Sequence, residues 1–112
     1  MLKAVEKVFK ALADKNRLRI LKMLQHKPMC VCEIREVLGL AQPTVSKHLK
    51  ILKDAGIIED GQKGLWTNYY IQSQNDYARS LSRLIKDWLE KDIIIQRDLH
   101  KAKTVDRDKL CG

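Results

Sequence analysis

The side chains best equipped for chemistry are three cysteines, Cys30, Cys32 and Cys111. Thiolates are soft donors and select soft ions. The spacing of the first two decides how they can act. In a regular helix, residues i and i+2 point about 200° apart, which forbids a shared ion. In extended backbone the same two side chains lie on one side, about 6.6 Å apart at the α-carbons. Cys30-Val31-Cys32 stands at an expected helix start, so chelation there can unwind a first turn. A helix N-terminus also favours thiolate and is expected to lower the thiol pKa. Residues 100–112 are polar and can extend to roughly 35 Å, so Cys111 can reach the pair from its own subunit or from another.

A second group of residues suits a polyanion. Between positions 41 and 56, Val45, Leu49, Leu52 and Ala55 recur at the spacing of one helix face. Thr44, Ser46, Lys47, Lys50 and Lys53 take the opposite face. Pro43 suits a first helical turn, and Gly56 suits a C-terminal cap. Such a helix fits a DNA major groove with its N-terminal polar residues toward base edges. Gln42, Thr44, Ser46 and Lys47 are expected at base edges or adjacent phosphates, with Lys50 and Lys63 on phosphates. A net charge of +8 in 112 residues agrees with a polyanionic partner. Aromatics make up only 5%, which argues against a base-stacking RNA platform.

The elements that must position these groups are mostly helices. Leu2, Val5, Phe9 and Leu12 share a face over residues 2–13. Asp14 is an expected N-cap for a second helix over 17–25, with Leu18, Leu21 and Leu24 inward. Pro28 breaks that pattern. A third helix is expected over 31–38, ending before Gly39, with Cys30-x-x-Glu33 as a capping box carrying Cys in place of Ser or Thr. A thiol is a poor acceptor for that role. Helix, Gly39 turn and the 41–56 helix make a helix-turn-helix. Residues 57–59 and 65–71 around the turn 61–64 make a β-hairpin, a basic wing with Lys63 at its tip. A last helix is expected from Asn75 or Asp76 to about 99. Its stripe of Tyr77, Leu81, Leu84, Trp88 and Ile95, widened by Ile85, Leu89 and Ile93, exceeds what one small domain covers and reads as a self-association surface. The expected division is a body over 1–99 and a mobile polar tail over 100–112.

Several classes are excluded or disfavoured. No apolar run approaches the roughly 20 residues that span a bilayer. The N-terminus is too charged and periodic for a signal peptide. An intracellular, cytoplasmic protein with reduced cysteines is the expectation. An enzyme would need a base positioned beside a nucleophile, and no His or carboxylate pattern supplies one.

The chain resembles the ArsR/SmtB family of winged-helix metal-responsive repressors. The resemblance rests on residues 9–14 (FKALAD), 17–21 (RLRIL), 29–34 (MCVCEI), 42–49 (QPTVSKHL) and 64–70 (GLWTNYY). It implies a mainly α winged helix-turn-helix with a small β-hairpin, a homodimer through the first and last helices. It implies repression at a palindromic double-stranded operator, relieved by a ligand. Cys30-Val31-Cys32 looks like the motif of the arsenite-sensing and cadmium/lead-sensing branches. Arg35 stands where the arsenic sensors carry a third cysteine, and Ala41 stands where relatives often carry a Ser cap. As(III) or Sb(III), each preferring three sulfurs, matches Cys30, Cys32 and Cys111 as ligands, with no organic cofactor. Cadmium/lead sensing, or thiol redox sensing, is the alternative. Zinc sensing on the last helix lacks its second ligand pair after Asp98-x-His100.

Overall fold

The computed structural model describes residues 1–72 and 74–107. Helices α1 (Leu2–Leu12) and α2 (Lys15–His26) are followed by a short strand β1 (Met29–Cys30). Helices α3 (Val31–Leu38) and α4 (Gln42–Asp54) come next. Strands β2 (Ile58–Lys63) and β3 (Trp66–Ile71) precede helices α5 (Asp76–Leu89) and α6 (Ile93–Ala102). This is a winged helix-turn-helix, mainly helical, with a three-stranded antiparallel sheet in the order β1-β3-β2. No helix among the described residues is long and apolar enough to cross a membrane.

Local signals place α2, α3 and α4. The Asp14 carboxylate accepts from the backbone N–H groups of Asn16 and Arg17 at 2.8 and 3.1 Å, and so caps α2 as expected. Gly39 closes α3 in the left-handed region at φ 69°. Helix α4 ends at Asp54, and Gly56 follows at φ 77°. A Cβ on Gly56 would meet Asn75 Nδ2 at 2.6 Å, the same amide that donates to the Ala55 carbonyl. Ile20, Leu21, Ile34, Val45, Leu49, Leu52 and Ile57 form the buried centre.

Four expectations change. The outward and inward faces of α1 are not as the stripe suggested. Val8, Ala11 and Leu12 are buried, while Leu2 and Phe9 are 85% and 56% exposed. Helix α1 has apolar residues on two faces, and the smaller side chains fit against α2 and α4. The hairpin is longer than expected. Gly61 and Gln62 lie inside β2, and Gly64-Leu65 make the turn, with Gly64 at φ 63°. Strand β1 had no local signal, because two residues become a strand only through pairing with β3, Cys30 opposite Asn68 and Met29 opposite Tyr69.

The last helix is two helices. Lys22 on α2 is fully buried and donates to the Lys86 carbonyl at 3.0 Å and the Glu90 carboxylate at 2.9 Å. Asp92 then caps a new helix by accepting from Ile94 and Ile95. Helix α6 turns back over α2 and α3, so Ile95 and Leu99 are core residues rather than part of an outer stripe. It runs through Ala102, past the expected boundary at residue 99. Val105 and Arg107 pack on the body as well. Asp98 anchors this arrangement: its two oxygens accept from Arg19 Nε and Nη2 at 2.7 and 2.9 Å, and it is 5% exposed. Asp98 is thereby committed to the fold rather than to an ion. Asp98→Asn would leave the guanidinium facing a neutral partner and cost about 3 kcal/mol, the lower end for a broken buried pair because Arg19 keeps some solvent access. Urea unfolding checks this; a loss well under 1 kcal/mol would mean that apolar packing alone holds α6.

Candidate functional site

The reading face follows from the periodicity of α4. Val45, Leu49 and Leu52 are buried, and Gln42, Thr44, Ser46, Lys47 and Lys50 are exposed. Lys63 is exposed at the wing tip beside Leu65, which is 90% exposed. The ammonium groups are not equally available. Among the described residues Lys50 pairs only with Asp54, an exposed contact at 3.1 Å. Lys53 bridges to Asp60 on β2 at 3.0 Å and to Glu59 at 3.8 Å, so it ties the wing to α4. The Asp60 carboxylate raises the Lys53 pKa. His48 is structural: its Nδ1 lies 3.1 Å from Arg17 Nη1, and Arg17 Nε donates to the Ala11 carbonyl. Ala41 is the N-cap of α4 and makes no side-chain cap bond.

Two of the three cysteines lie together at the start of α3, which packs against α4. Cys30 has extended backbone, φ −87° and ψ 167°, and is 2% exposed. Cys32 is half-buried on the first helical turn. The pair therefore straddles the change from strand to helix. Cys111 lies outside the described residues, and among those no group of three His, Cys, Asp or Glu side chains could hold a metal ion.

The capping box is closed despite the thiol. The Cys30 N–H donates to Glu33 Oε1 at 3.0 Å, and the Glu33 N–H donates to the Cys30 sulfur. The same Oε1 accepts from Arg107 Nη2 at 3.0 Å. Arg107 also lies over the Trp66 ring on β3, 5.9 Å from its centroid. Opposite Cys30 on β3, Asn68 is buried, and its Oδ1 has no hydrogen-bond partner among the described residues. The expected lowering of the thiol pKa does not hold for Cys30. Burial pushes it up, and the facing Glu33 carboxylate adds to the rise, outweighing the Glu33 N–H and Arg107. Glu33 was legible as a cap, whereas Arg107 and Trp66 carry no local sign of a role at this site.

A basic, exposed reading helix braced by α3 and flanked by a hairpin wing defines a winged-helix DNA-binding regulator. Residues 14–60 match the model described as bacterial regulatory protein, arsR family. Over 86 residues, the chain is 44% identical to an uncharacterized HTH-type transcriptional regulator, MJ1325, of Methanocaldococcus jannaschii. That covers 76% of this chain and 93% of the relative. It is 41% identical over 93 residues to the arsenic resistance transcriptional regulator ArsR1 of Pseudomonas putida, covering 78% of this chain and 73% of that one. The fold is similar to the homodimeric winged helix-turn-helix DNA-binding domain of Mb0332 from Mycobacterium bovis. There the TM-score is 0.69 at 33% identity, covering 80% of this chain and 82% of that one. The chain belongs to the arsR family of bacterial regulatory proteins, which are DNA-binding regulators and not enzymes.

Two outcomes follow from this geometry. Ala41→Ser should supply the missing cap and raise stability by about 1 kcal/mol in urea unfolding; no change would mean that the first turn of α4 is already satisfied. For Cys30, a raised folded pKa means that the unfolded chain loses its thiol proton first as pH rises. Its contribution to stability is whole below the ordinary thiol pKa and is lost as pH climbs through the folded value. Cys30→Ala should remove that alkaline component from a stability–pH profile, and an unaltered profile would count against the raised pKa.

Proposed function

We propose that this protein is a transcriptional repressor that binds a palindromic operator as a homodimer and is released from it by arsenite or antimonite held on cysteine thiolates. The carrying observation is the double duty of Cys30. It is at once the cap of the helix that braces the reading helix and a strand residue locked to β3. A ligand that draws Cys30 and Cys32 onto one ion would act across the change from strand to helix, since Cys30 is extended and Cys32 lies in the first turn of α3, and would pull on that turn. The brace then shifts against α4.

The chemistry suits a buried thiol such as Cys30, whose pKa is raised. Each thiol exchanges with one hydroxide of As(OH)3: an S–As bond forms, an As–O bond breaks, and the thiol proton leaves with the hydroxide as water. Three exchanges release three waters and no net proton, so the raised pKa of Cys30 is no barrier. Cys111 supplies the third sulfur in this reading. The relative named for arsenic resistance in Pseudomonas putida supports the choice of inducer class.

Gln42, Thr44, Ser46 and Lys47 contact base edges or nearby phosphates, and Lys50 and Lys63 contact phosphates. Pairing of two chains runs through α1 and α5, which pack side by side and leave Leu2, Phe9, Leu84 and Trp88 exposed. A palindromic operator mirrors that symmetry.

The test is fluorescence anisotropy of a duplex selected by the reduced protein, titrated with arsenite, then cadmium, then zinc. Arsenite should weaken DNA binding by roughly 5–150-fold, and Cys30→Ser and Cys32→Ser should each abolish the response without weakening DNA binding itself. Cys111→Ser should respond weakly. Release by cadmium or by an oxidant, with none by arsenite, would contradict the inducer assigned here.

A further inference from the structure

The outer half of the wing has little of its own to hold it. Strand β1 ends at Cys30, opposite Asn68, so Gln62–Thr67 and Lys63–Trp66 are rungs of a ribbon two strands wide. Such ribbons are marginal in water unless something packs on them. Thr67 Oγ1 donates to Gln62 Oε1 at 2.9 Å, a bond inside the hairpin, and Leu65 at the tip is 90% exposed. Successive side chains alternate between faces, so Trp66 and Lys63 stand on the same face as Asn68 and Cys30. Arg107 reaches that face from the chain leaving α6. Its guanidinium lies 5.9 Å over the half-buried Trp66 ring, and its Nη2 donates to the Glu33 carboxylate at 3.0 Å. Glu33 is buried, and the same oxygen accepts the Cys30 N–H. Val105, two residues before Arg107, packs on the core, so the guanidinium is presented from a fixed point.

We propose that Arg107 is a positioning residue for DNA binding: it clamps Trp66 to the start of α3 and so sets the angle at which Lys63 meets the phosphate backbone. A guanidinium suits this, since its flat face stacks on a ring while its edge pairs with a carboxylate. Trp66 and Lys63 are opposite each other in the last rung before the turn, so a fixed ring fixes the rung and with it the ammonium. The clamp also gives the wing a share in the state of the α3 start. Glu33 Oε1 serves the Cys30 N–H and Arg107 together, so a disturbance of that turn reaches the wing as well as α4. The phosphate contact of Lys63 is taken from the reading above, whereas the hold on Trp66 is measurable without DNA.

Two measurements on the reduced full-length protein test this. The first is the indole N–H magnetic resonance spectrum of the free protein, with the Trp66 signal assigned by its loss in Trp66→Phe. Arg107→Ala should shift the Trp66 signal and leave that of Trp88 in place, which separates release of the clamp from general unfolding. Arg107→Lys should shift it less, because an ammonium still faces the ring and pairs with Glu33. The second is anisotropy of the selected duplex over a range of salt. Lys63→Ala should lower the slope of log K against log salt by about 1 per subunit. Arg107→Ala should weaken binding about 2–5-fold. Added to Lys63→Ala it should cause no further loss, because Arg107 acts through Lys63. An unmoved Trp66 signal in Arg107→Ala would overturn the proposal, and so would losses that add in the double variant, which would mean that Arg107 meets DNA itself or acts on the fold at large. A Lys63→Ala variant that binds like wild type would overturn the reading of Lys63 and, with it, the part of Arg107 in DNA binding, whatever the indole spectrum shows.

Discussion

On the proposed reading, the coupling of chemistry to DNA passes through one turn of backbone, the change from strand to helix at Cys30. Its N–H is taken by Glu33, its partner across the sheet is Asn68, and its sulfur caps α3. A thiol holds that cap weakly compared with a hydroxyl. Natural preference at this position is Ser, Thr, Asp or Asn, so the helix gives up stability where it begins. The partly buried Glu33–Arg107 pair and the β1–β3 pairing offset the loss. The result is a helix start fixed by its surroundings more than by its own cap.

That arrangement makes the brace sensitive to what the sulfur does. Helix α4 is held from one side by α3 and from the other by β2 through Lys53. Arg17 reaches from α2 to His48 and fixes a third point. With α4 clamped on several sides, a small shift of α3 cannot be absorbed by α4 alone. On the proposed reading it is passed to the angle at which the exposed face of α4 meets DNA. The coupling needs no large motion, because groove contacts depend on sub-ångström fit.

The parts legible in the sequence are those set by neighbouring residues. Asp14, Gly39, Pro43 and the 45–49–52 spacing each act within a turn or two, and α2, α3 and α4 lie where they indicate. The hairpin was legible as a hairpin, but its exact turn was not, since Gly61 and Gly64 are both plausible turn residues and only Gly64 takes a positive φ. The parts that escaped depend on distant partners. Lys22 stops α5 from the far side of the core, although Asp92 before three isoleucines is a cap signal that could have been read. Strand β1 exists only because Asn68 and Tyr69 are opposite it. At the site, the expected start of α3 beside Cys30 and Cys32 is where the helix begins. The direction of the Cys30 pKa did not follow from helix position, because burial and the Glu33 carboxylate outweigh the Glu33 N–H and Arg107.

On the proposed reading, occupation of the cysteine pair loosens the start of α3 and so disturbs α4. Amide hydrogen exchange on the reduced, DNA-free protein, with and without arsenite, measures this most directly. Arsenite should speed exchange at the amides of Cys32, Glu33 and Ile34 and in the first turn of α4, with the α2 core unchanged. Unchanged protection across α3 and α4 in a protein that nonetheless binds arsenite and releases DNA would contradict it.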